Sequence, residues 1–376
     1  MKIKLLFLLS IATAELFSAN AGPAAVTTKP AAHIPNFFCK HHFDGMPQRH
    51  IVYLGDRRLL VADRRAVNGP AITQVSDELT VISEINFDRR SPFNTRWLVT
   101  SLSRMQNGSL IIGATDVTGE DSTLTIVPSD RVKEELRSYQ GIEYSQIKPH
   151  GGPTCKPATA GDLFAFGHRT GVRVHRIDCG TSANDQSIGE SKERRKKEDF
   201  ESRLAHLTAT GIDSLSFASG DNTRLAASFK PEGGSSVVQI FDLAQSKTQS
   251  TIEDDGENLS GKEKVIFSPE DPNLLAVVGA AAVKLYDLRD KEKKPVTRIQ
   301  FHTDNTPTSC SWDSQTRLIV TSSLNQVMVI NPKTTGYSCF ELPEDNHPNA
   351  TALVSKDGKD LLFVAGTQHL HRMELP

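Results

Sequence analysis

The chain has 376 residues, of which 38% are hydrophobic and 23% charged, the composition of an ordinary soluble globular protein. Its 43 basic and 45 acidic residues leave a formal net charge of -2. This balance excludes an overall electrostatic attraction to nucleic acid or to an anionic membrane, so we expect neither as a partner. The length allows two or three domains, or one long all-β domain.

The N-terminus has the three parts of an export signal. Two lysines supply positive charge, an apolar run follows over residues 5–14, and Ala19 and Ala21 form an A-x-A cleavage pattern. We therefore predict a cleaved signal peptide over residues 1–21 and a mature protein that is periplasmic, in the lumen of the secretory pathway, or extracellular. Cleavage after Ala14, a buried N-terminal helix and a cytosolic protein are the alternatives. No later stretch reaches the roughly 20 apolar residues of a membrane span.

The first half of the chain contains three strand-rich segments at irregular spacing. They are "HIVYLGDRRLLVAD" (50–63), "VTSLSRMQNGSLIIGA" with "STLTIVPSD" (99–130), and "DLFAFGHRTGVRVHRID" (162–178). Each contains apolar runs separated by turn residues, which predicts antiparallel strands. We expect the third strand of each set to end at Asp63, near Pro128 and at Asp178.

A polar insert separates the irregular half from the regular half. Phe200, Leu204 and Leu207 recur at helical spacing, so we predict a short surface helix near 190–207. Its basic cluster (194–197) has the composition of a nuclear signal or a nucleic-acid patch, but the export signal and the neighbouring acidic residues argue against both. A solvated insert is favoured, and such an insert could dock a partner.

The second half repeats with a regular period. In "AVKLYDLRD" (282–290) the apolar residues alternate, which predicts a strand with one packed face. Similar strands end at Asp242, Asp287, Asn331 and Glu374, at steps of 45, 44 and 43 residues. Two further apolar segments precede each of these strands. The earlier segment has an apolar or aromatic residue at the same position of every repeat: Phe217, Phe267, Trp312 and Val354. With the first half, the chain contains seven such sets, and a period in this range is typical of propeller blades.

These repeats resemble the WD40 family, most specifically over residues 210–376, where "FDL" and "YDL" stand at the position of the family's Trp-Asp pair. The resemblance implies an all-β, seven-bladed propeller of four-stranded blades over residues 41–376. The chain departs from the pattern, since no repeat has the Gly-His pair or a Trp before the Asp. In the family an N-terminal strand completes the last blade. We expect residues 30–40 to supply that strand here, and residues 22–29 to form a flexible lead-in to it, so that residues 22–40 make up one N-terminal segment. The alternative is an open ring.

Propeller loops suit binding more than chemistry, so our main hypothesis is an exported, non-catalytic, monomeric platform for a protein or peptide partner. The loops between second and third strands should crowd one face. The candidate contact residues there are His168, Arg169, Lys230, Asn325 and Gln368. The alternative is that each is an ordinary polar loop residue.

Motifs for catalysis are absent: the chain has no G-x-S-x-G, H-E-x-x-H, P-loop, G-x-G-x-x-G or C-x-x-C sequence. We expect no catalytic residue, cofactor or metal. The most suggestive set near the two ends of the chain lacks metal-motif spacing: Cys39, His41, His42, His50, His369 and His371. A rival hypothesis is an exported propeller enzyme, a hydrolase or lyase using the central channel, with or without a metal. The acidic loop 250–264 lacks the ligand spacing of a calcium loop.

Two covalent features stay open. The five cysteines are Cys39, Cys155, Cys179, Cys310 and Cys339. Cys310 and Cys339 are expected on the first and fourth strands of one blade, about 14 Å apart at ~4.8 Å per strand, too far for a disulfide. The N-x-[ST] sequons at Asn107, Asn258 and Asn349 fall in predicted loops and accept glycans only if the source cell glycosylates exported proteins.

Overall fold

The computed structural model describes residues 49–63, 72–79, 81–85, 97–116, 122–127, 129, 132, 157–168, 171–176, 212–230, 236–245, 247–253, 263–279, 282–300, 306–342, 348–366 and 370–375. In this part of the chain, 25 strands form seven antiparallel sheets. Within each sheet the strands pair in chain order, so every sheet is a meander.

Sheets 1 to 3 come from the irregular half. Sheet 1 contains β1 (Arg49–Gly55), β2 (Arg58–Asp63), β3 (Ile72–Ser76) and β4 (Val81–Ile85). Sheet 2 contains β5 (Trp97–Arg104), β6 (Leu110–Asp116) and β7 (Ser122–Val127). Sheet 3 contains β8 (Ala158–Ala160), β9 (Leu163–His168) and β10 (Gly171–Arg176).

One register prediction is wrong. Asp63 ends the second strand of sheet 1, and the third strand is the short segment that ends at Ser76. The error arose because any two consecutive apolar strands joined by a turn look alike in sequence, whichever pair of the sheet they form. The third strands of sheets 2 and 3 end at Val127 and Arg176, close to the predicted Pro128 and Asp178.

Sheets 4 to 7 come from the regular half. Sheet 4 contains β11 (Ile212–Ala218), β12 (Asp221–Phe229), β13 (Val237–Asp242) and β14 (Lys247–Glu253). Sheet 5 contains β15 (Lys264–Phe267), β16 (Leu274–Val278), β17 (Ala282–Asp287) and β18 (Pro295–Gln300). Sheet 6 contains β19 (Pro307–Trp312), β20 (Leu318–Ser322), β21 (Gln326–Ile330) and β22 (Tyr337–Glu341), and sheet 7 contains β23 (Pro348–Lys356), β24 (Lys359–Gly366) and β25 (Leu370–Glu374).

In the four-stranded sheets of the regular half, burial is greatest in the second strands and least in the fourth. The second strand β20 is buried at every position, whereas most residues of β14 and every second residue of β18 are exposed. The innermost strand β19 is mostly half-buried. The third strand β17 is buried on both faces, so the expectation of one packed face is wrong there. Even Lys284 is 2% exposed, because it lies beside Val277 on the face that packs against sheet 4. A sheet covered on both sides needs apolar residues at consecutive positions, which explains the unbroken apolar runs in the sequence.

Among the described residues, the hydrophobic core is divided into seven clusters, one between each pair of neighbouring sheets. One of them joins the two ends of the described chain. It packs Ile51 and Leu59 of sheet 1 against Phe363 and Leu370 of sheet 7. The first strands also touch each other in sequence around the molecule, and β1 contacts β23. The seven sheets therefore form a closed ring with the first strands innermost, which confirms the predicted propeller architecture.

Several predictions concern residues outside this description. They are the signal peptide (1–21), the lead-in and closing strand (22–40) and the helical insert (190–207). No helix in the described part of the chain is both long and apolar enough to cross a bilayer.

Candidate partner-binding surface

The direction of the innermost strands defines two ends of the ring. The amide nitrogens of Val265 and Phe267 in β15 donate to the hydroxyls of Ser214 and Ser216 in β11, at 3.2 and 3.0 Å. The residue numbers of the bonded partners increase together in the two strands, so the strands run in the same direction. The contacts of Ser103 with Pro157 and of Arg104 with Thr159 show the same for β5 and β8. The connections between first and second and between third and fourth strands thus lie at one end, here named the turn end. Those between second and third strands lie at the opposite, loop end.

Three of the predicted contact positions are described, and they belong to the loop end. Lys230 directly follows β12, Asn325 directly precedes β21, and His168 is the last residue of β9. Arg169 and Gln368 lie outside the described residues, as does the side chain of His168. The topology therefore brings positions 168, 230 and 325 to one end of the ring, while the role of all five residues in contacting a partner stays a prediction.

The loop between β20 and β21 is held on both sides. The Ser323 amide donates to the Thr306 carbonyl at 2.8 Å, and the Thr306 amide donates to the Ser323 hydroxyl at 3.1 Å. On the other side, the Leu342 amide donates to the Asn325 carbonyl at 2.6 Å. Asn325 has a φ of 59°, in the left-handed region that Asn tolerates well, so the turn itself accounts for this residue. The loop presents Leu324 from a fixed backbone.

Leu324 is the surface residue that sequence reasoning missed. Its side chain is 47% exposed, and among the described residues only Ile82 and Val296 are comparably exposed large hydrophobic residues. Those two lie near the start of the outer strands β4 and β18, on the turn-end side of the ring and away from the loop end. The signal was a leucine between Ser323 and Asn325, in a turn where solvent-facing residues are usually polar. Exposed Lys230, at the end of β12, adds a positive charge at the same end of the ring.

At the turn end, polar side chains connect neighbouring sheets instead of projecting from them. The guanidinium of Arg224 in sheet 4 donates to the Asn273 side chain in sheet 5 at 2.9 Å. Arg104 in sheet 2 donates to the Tyr53 carbonyl in sheet 1 at 3.3 Å, and its own carbonyl accepts from the Thr159 hydroxyl in sheet 3 at 3.1 Å. These contacts fix the relative positions of the sheets.

Asp360 connects sheets 6 and 7 at the same end. Its carboxylate accepts from the amide and hydroxyl of Ser314, at 3.1 and 2.7 Å, and from the Ser355 hydroxyl. Burial opposes ionisation, but these hydrogen bonds and the nearby Arg317 charge outweigh it, so the pKa of Asp360 is lowered.

An ion pair closes the ring between sheets 7 and 1. The Lys356 ammonium lies 3.0 Å from the Asp77 carboxylate, although the two residues are 279 positions apart in sequence. The Arg57 guanidinium lies 3.6 Å from the same carboxylate. Asp77 is 5% exposed, so both cations meet a carboxylate that is largely removed from water.

The histidines proposed near the two chain ends are only partly described. His50 lies in β1 and His371 lies buried in β25, while Cys39, His41, His42 and His369 fall outside the description. Among the described residues, no three His, Cys, Asp or Glu side chains come close enough to hold a metal ion.

Cys310 and Cys339 do not form a disulfide with each other, as expected. They belong to β19 and β22, and the strand pairing places Val320 and Met328 between them in one row. Two intervening strands separate the thiols by about 14 Å, beyond disulfide reach. Burial, then the neighbouring Glu341 charge, raises the pKa of Cys339.

Comparison with solved structures identifies the architecture. A chain from the crystal structure of the mitotic checkpoint complex is similar with a TM-score of 0.61 and 17% identity, covering 94% of this chain and 96% of that one. The WD40 β-propeller domain of Doa1 is similar with a TM-score of 0.60 and 11% identity, covering 91% of this chain and 97% of that one. This chain has the WD40 β-propeller fold. No protein-family model and no curated protein sequence matches it.

The WD40 propeller explains the resemblance found in the sequence. The endings "FDL" and "YDL" close the third strands β13 and β17 of sheets 4 and 5. The likeness extends over nearly the full length of both solved chains, so it concerns the whole ring and not one repeat.

Proposed function

We propose that this protein is an exported, non-catalytic, monomeric interaction platform that binds a protein or peptide partner at the loop end of its WD40 propeller. The observation that carries the proposal is the exposed Leu324 on its hydrogen-bonded loop, at the end of the ring that also presents Lys230. An apolar side chain on a fixed backbone loses little conformational entropy when it is buried, which favours its use as a contact. His168, Arg169, Asn325 and Gln368, which the sequence assigns to connections between second and third strands, are proposed as further contact positions at this end.

Replacing Leu324 by aspartate tests the binding end. The purified full-length protein serves as bait in its native compartment, and bound proteins are quantified by mass spectrometry. We expect Leu324→Asp to lose a specific partner by tenfold or more, because the variant places a charge where an apolar contact is buried. Lys230→Glu should weaken the same partner by a smaller factor.

Two matched controls separate this effect from a general loss of surface hydrophobicity. Val296 and Ile82 are 57% and 49% exposed, but they lie on outer strands. Val296→Asp and Ile82→Asp should retain the partner that Leu324→Asp loses. Retention by Leu324→Asp, or an equal loss in all three variants, contradicts the proposed surface.

Export is tested separately on the mature chain. Mass measurement of the N-terminus of the protein from its native source should show removal of residues 1–21. An intact N-terminus on a cytosolic protein would contradict export and leave the loop-end proposal standing.

A further inference from the structure

We propose that Asn107 is an N-glycosylation site, and that its glycan shields the turn end beside sheet 2, leaving the loop end for partners. The proposal rests on the export proposed above. The sequence Asn107-Gly108-Ser109 is an N-x-S sequon, which is modified only in the secretory pathway of a glycosylating cell.

The folded structure leaves room for a glycan at this position. Asn107 lies exposed at the tip of the turn between β5 and β6. The turn is well defined: the Ser109 amide donates to the Asn107 side-chain oxygen at 2.9 Å, and the Gly108 amide donates to the Met105 carbonyl at 3.0 Å. Gly108 has a φ of 87°, which makes glycine the favoured middle residue of this sequon. A sugar on the Asn107 nitrogen would extend into solvent.

The group transfer needs a lipid-linked oligosaccharide diphosphate as donor. The Asn107 amide nitrogen forms a bond to the anomeric carbon of the first sugar. The bond from that carbon to the phosphate oxygen breaks, the lipid diphosphate leaves, and the amide nitrogen loses one proton. Ser109 is 4% exposed in the folded protein, so the transferase must act before this hairpin folds.

The other two sequons occupy different places. Asn349 lies within β23, the innermost strand of sheet 7, and the Thr351 hydroxyl of its sequon is 2.9 Å from the Ser309 hydroxyl across the interface with sheet 6. A glycan rooted in an innermost strand conflicts with packing between sheets far more than one at a turn. Asn258 lies outside the described residues. Asn107 is therefore the position we assign.

The shielding follows from what lies beside the turn. A Cβ atom placed on Gly108 would be 3.7 Å from the Arg104 guanidinium, and that guanidinium contacts the first strand of sheet 1. A glycan attached to the adjacent residue roots at the turn end of sheet 2, close to exposed Arg104. It would exclude large partners from this end.

The test expresses the full chain with its own N-terminus in a eukaryotic secretory cell line. Enzymatic deglycosylation in heavy-oxygen water converts a glycosylated Asn to labelled Asp, and peptide mass spectrometry reports the occupancy of each sequon. We expect a high occupancy at Asn107 and a lower one at Asn349. Asn107→Gln and Ser109→Ala should each abolish the Asn107 glycan, the second without changing the acceptor side chain. A lumenal or secreted chain with unmodified Asn107 overturns the proposal.

A second arm distinguishes failure of export from failure of the site. If the native N-terminus leaves the chain in the cytosol, export is contradicted, and the same chain is then expressed behind an established signal sequence. Modification of Asn107 there supports the assignment, and its absence overturns it.

Shielding has its own readout in the secreted protein. A guanidinium-modifying reagent should label Arg104 severalfold faster after deglycosylation. Arg289, which is 61% exposed at the turn end of sheet 5, should react at an unchanged rate. Equal labelling of Arg104 before and after deglycosylation contradicts the shielding.

Discussion

Two interfaces of the ring have similar apolar clusters but different polar contacts: the interface between sheets 4 and 5, and the interface between sheets 7 and 1. At the first, serine hydroxyls meet the backbone of the next sheet, as when Ser216 accepts from the Phe267 amide at 3.0 Å. At the second, Asp77 holds two cations, Lys356 and Arg57. The second interface joins residues that are far apart in sequence, so charge attraction supplements apolar contact where the chain connection contributes least.

The largest expected effect concerns the apolar clusters, since each of the two interfaces has one. Phe363 is fully buried between sheets 7 and 1, and Phe267 is 4% exposed between sheets 4 and 5. Phe363→Ala and Phe267→Ala should each lower the free energy of unfolding by about 3–5 kcal/mol, since each leaves a cavity. Urea denaturation measures both. A loss below about 1 kcal/mol for Phe363→Ala alone would mean that the ring is not closed as described.

A smaller effect distinguishes the polar parts. Asp77→Asn should lower the free energy of unfolding by about 1–2 kcal/mol, because the charge-assisted contacts to Lys356 and Arg57 are lost while both cations keep access to water. The side chains of Lys356 and Arg57 are 29% and 63% exposed, so raising NaCl from 0.1 to about 1 M should partly shrink the difference in unfolding free energy between variant and wild type by screening. A deficit independent of salt contradicts an electrostatic closure.

Ser216→Ala supplies the matched test at the other interface. Removing one hydroxyl that accepts from a backbone amide should lower the free energy of unfolding by about 1 kcal/mol. Since no ion pair is involved, this deficit should be the same at low and high salt. A salt dependence equal to that of Asp77→Asn would erase the distinction between the interfaces.

The smallest effect concerns Asp360, at the interface between sheets 6 and 7, whose contribution to stability is present at neutral pH and is lost in acid. The pKa of Asp360 is lowered in the folded protein, so Asp360 stabilises the fold fully above its unfolded pKa of about 3.9 and loses that contribution as pH falls through the lower folded pKa. Asp360→Asn should remove this contribution to the pH dependence of the free energy of unfolding. The rest of the dependence between about pH 5 and 2, which comes from other groups, should be unchanged. Identical acid-unfolding curves for the two proteins contradict the assignment.

The regular half of the chain was predictable because every repeat carries the same pattern of turns and apolar runs. The third strands of sheets 4 to 7 end at Asp242, Asp287, Ile330 and Glu374, within one residue of the sequence prediction. In sheet 1 the prediction failed, since β3 contains polar residues at positions that only the neighbouring sheets bury. Burial of Thr73 and Gln74 is a tertiary property.

The candidate surface was predicted in outline and not in its central residue. Alternating strand direction places Lys230 and Asn325 at one end from sequence alone. The exposure of Leu324 depends on how Thr306 and Leu342 hold its loop, and these two residues directly precede β19 and directly follow β22 of the same sheet.

Periodicity by itself determined the all-β class, the repeat and the second strands with apolar residues on both faces, because hydrogen-bonded meanders are local in sequence. The tertiary structure decided how the ring closes, since Asp77 and Lys356 meet only when sheet 7 reaches sheet 1. It also decided which side chains are left in solvent, because burial is set by neighbours that no local pattern identifies.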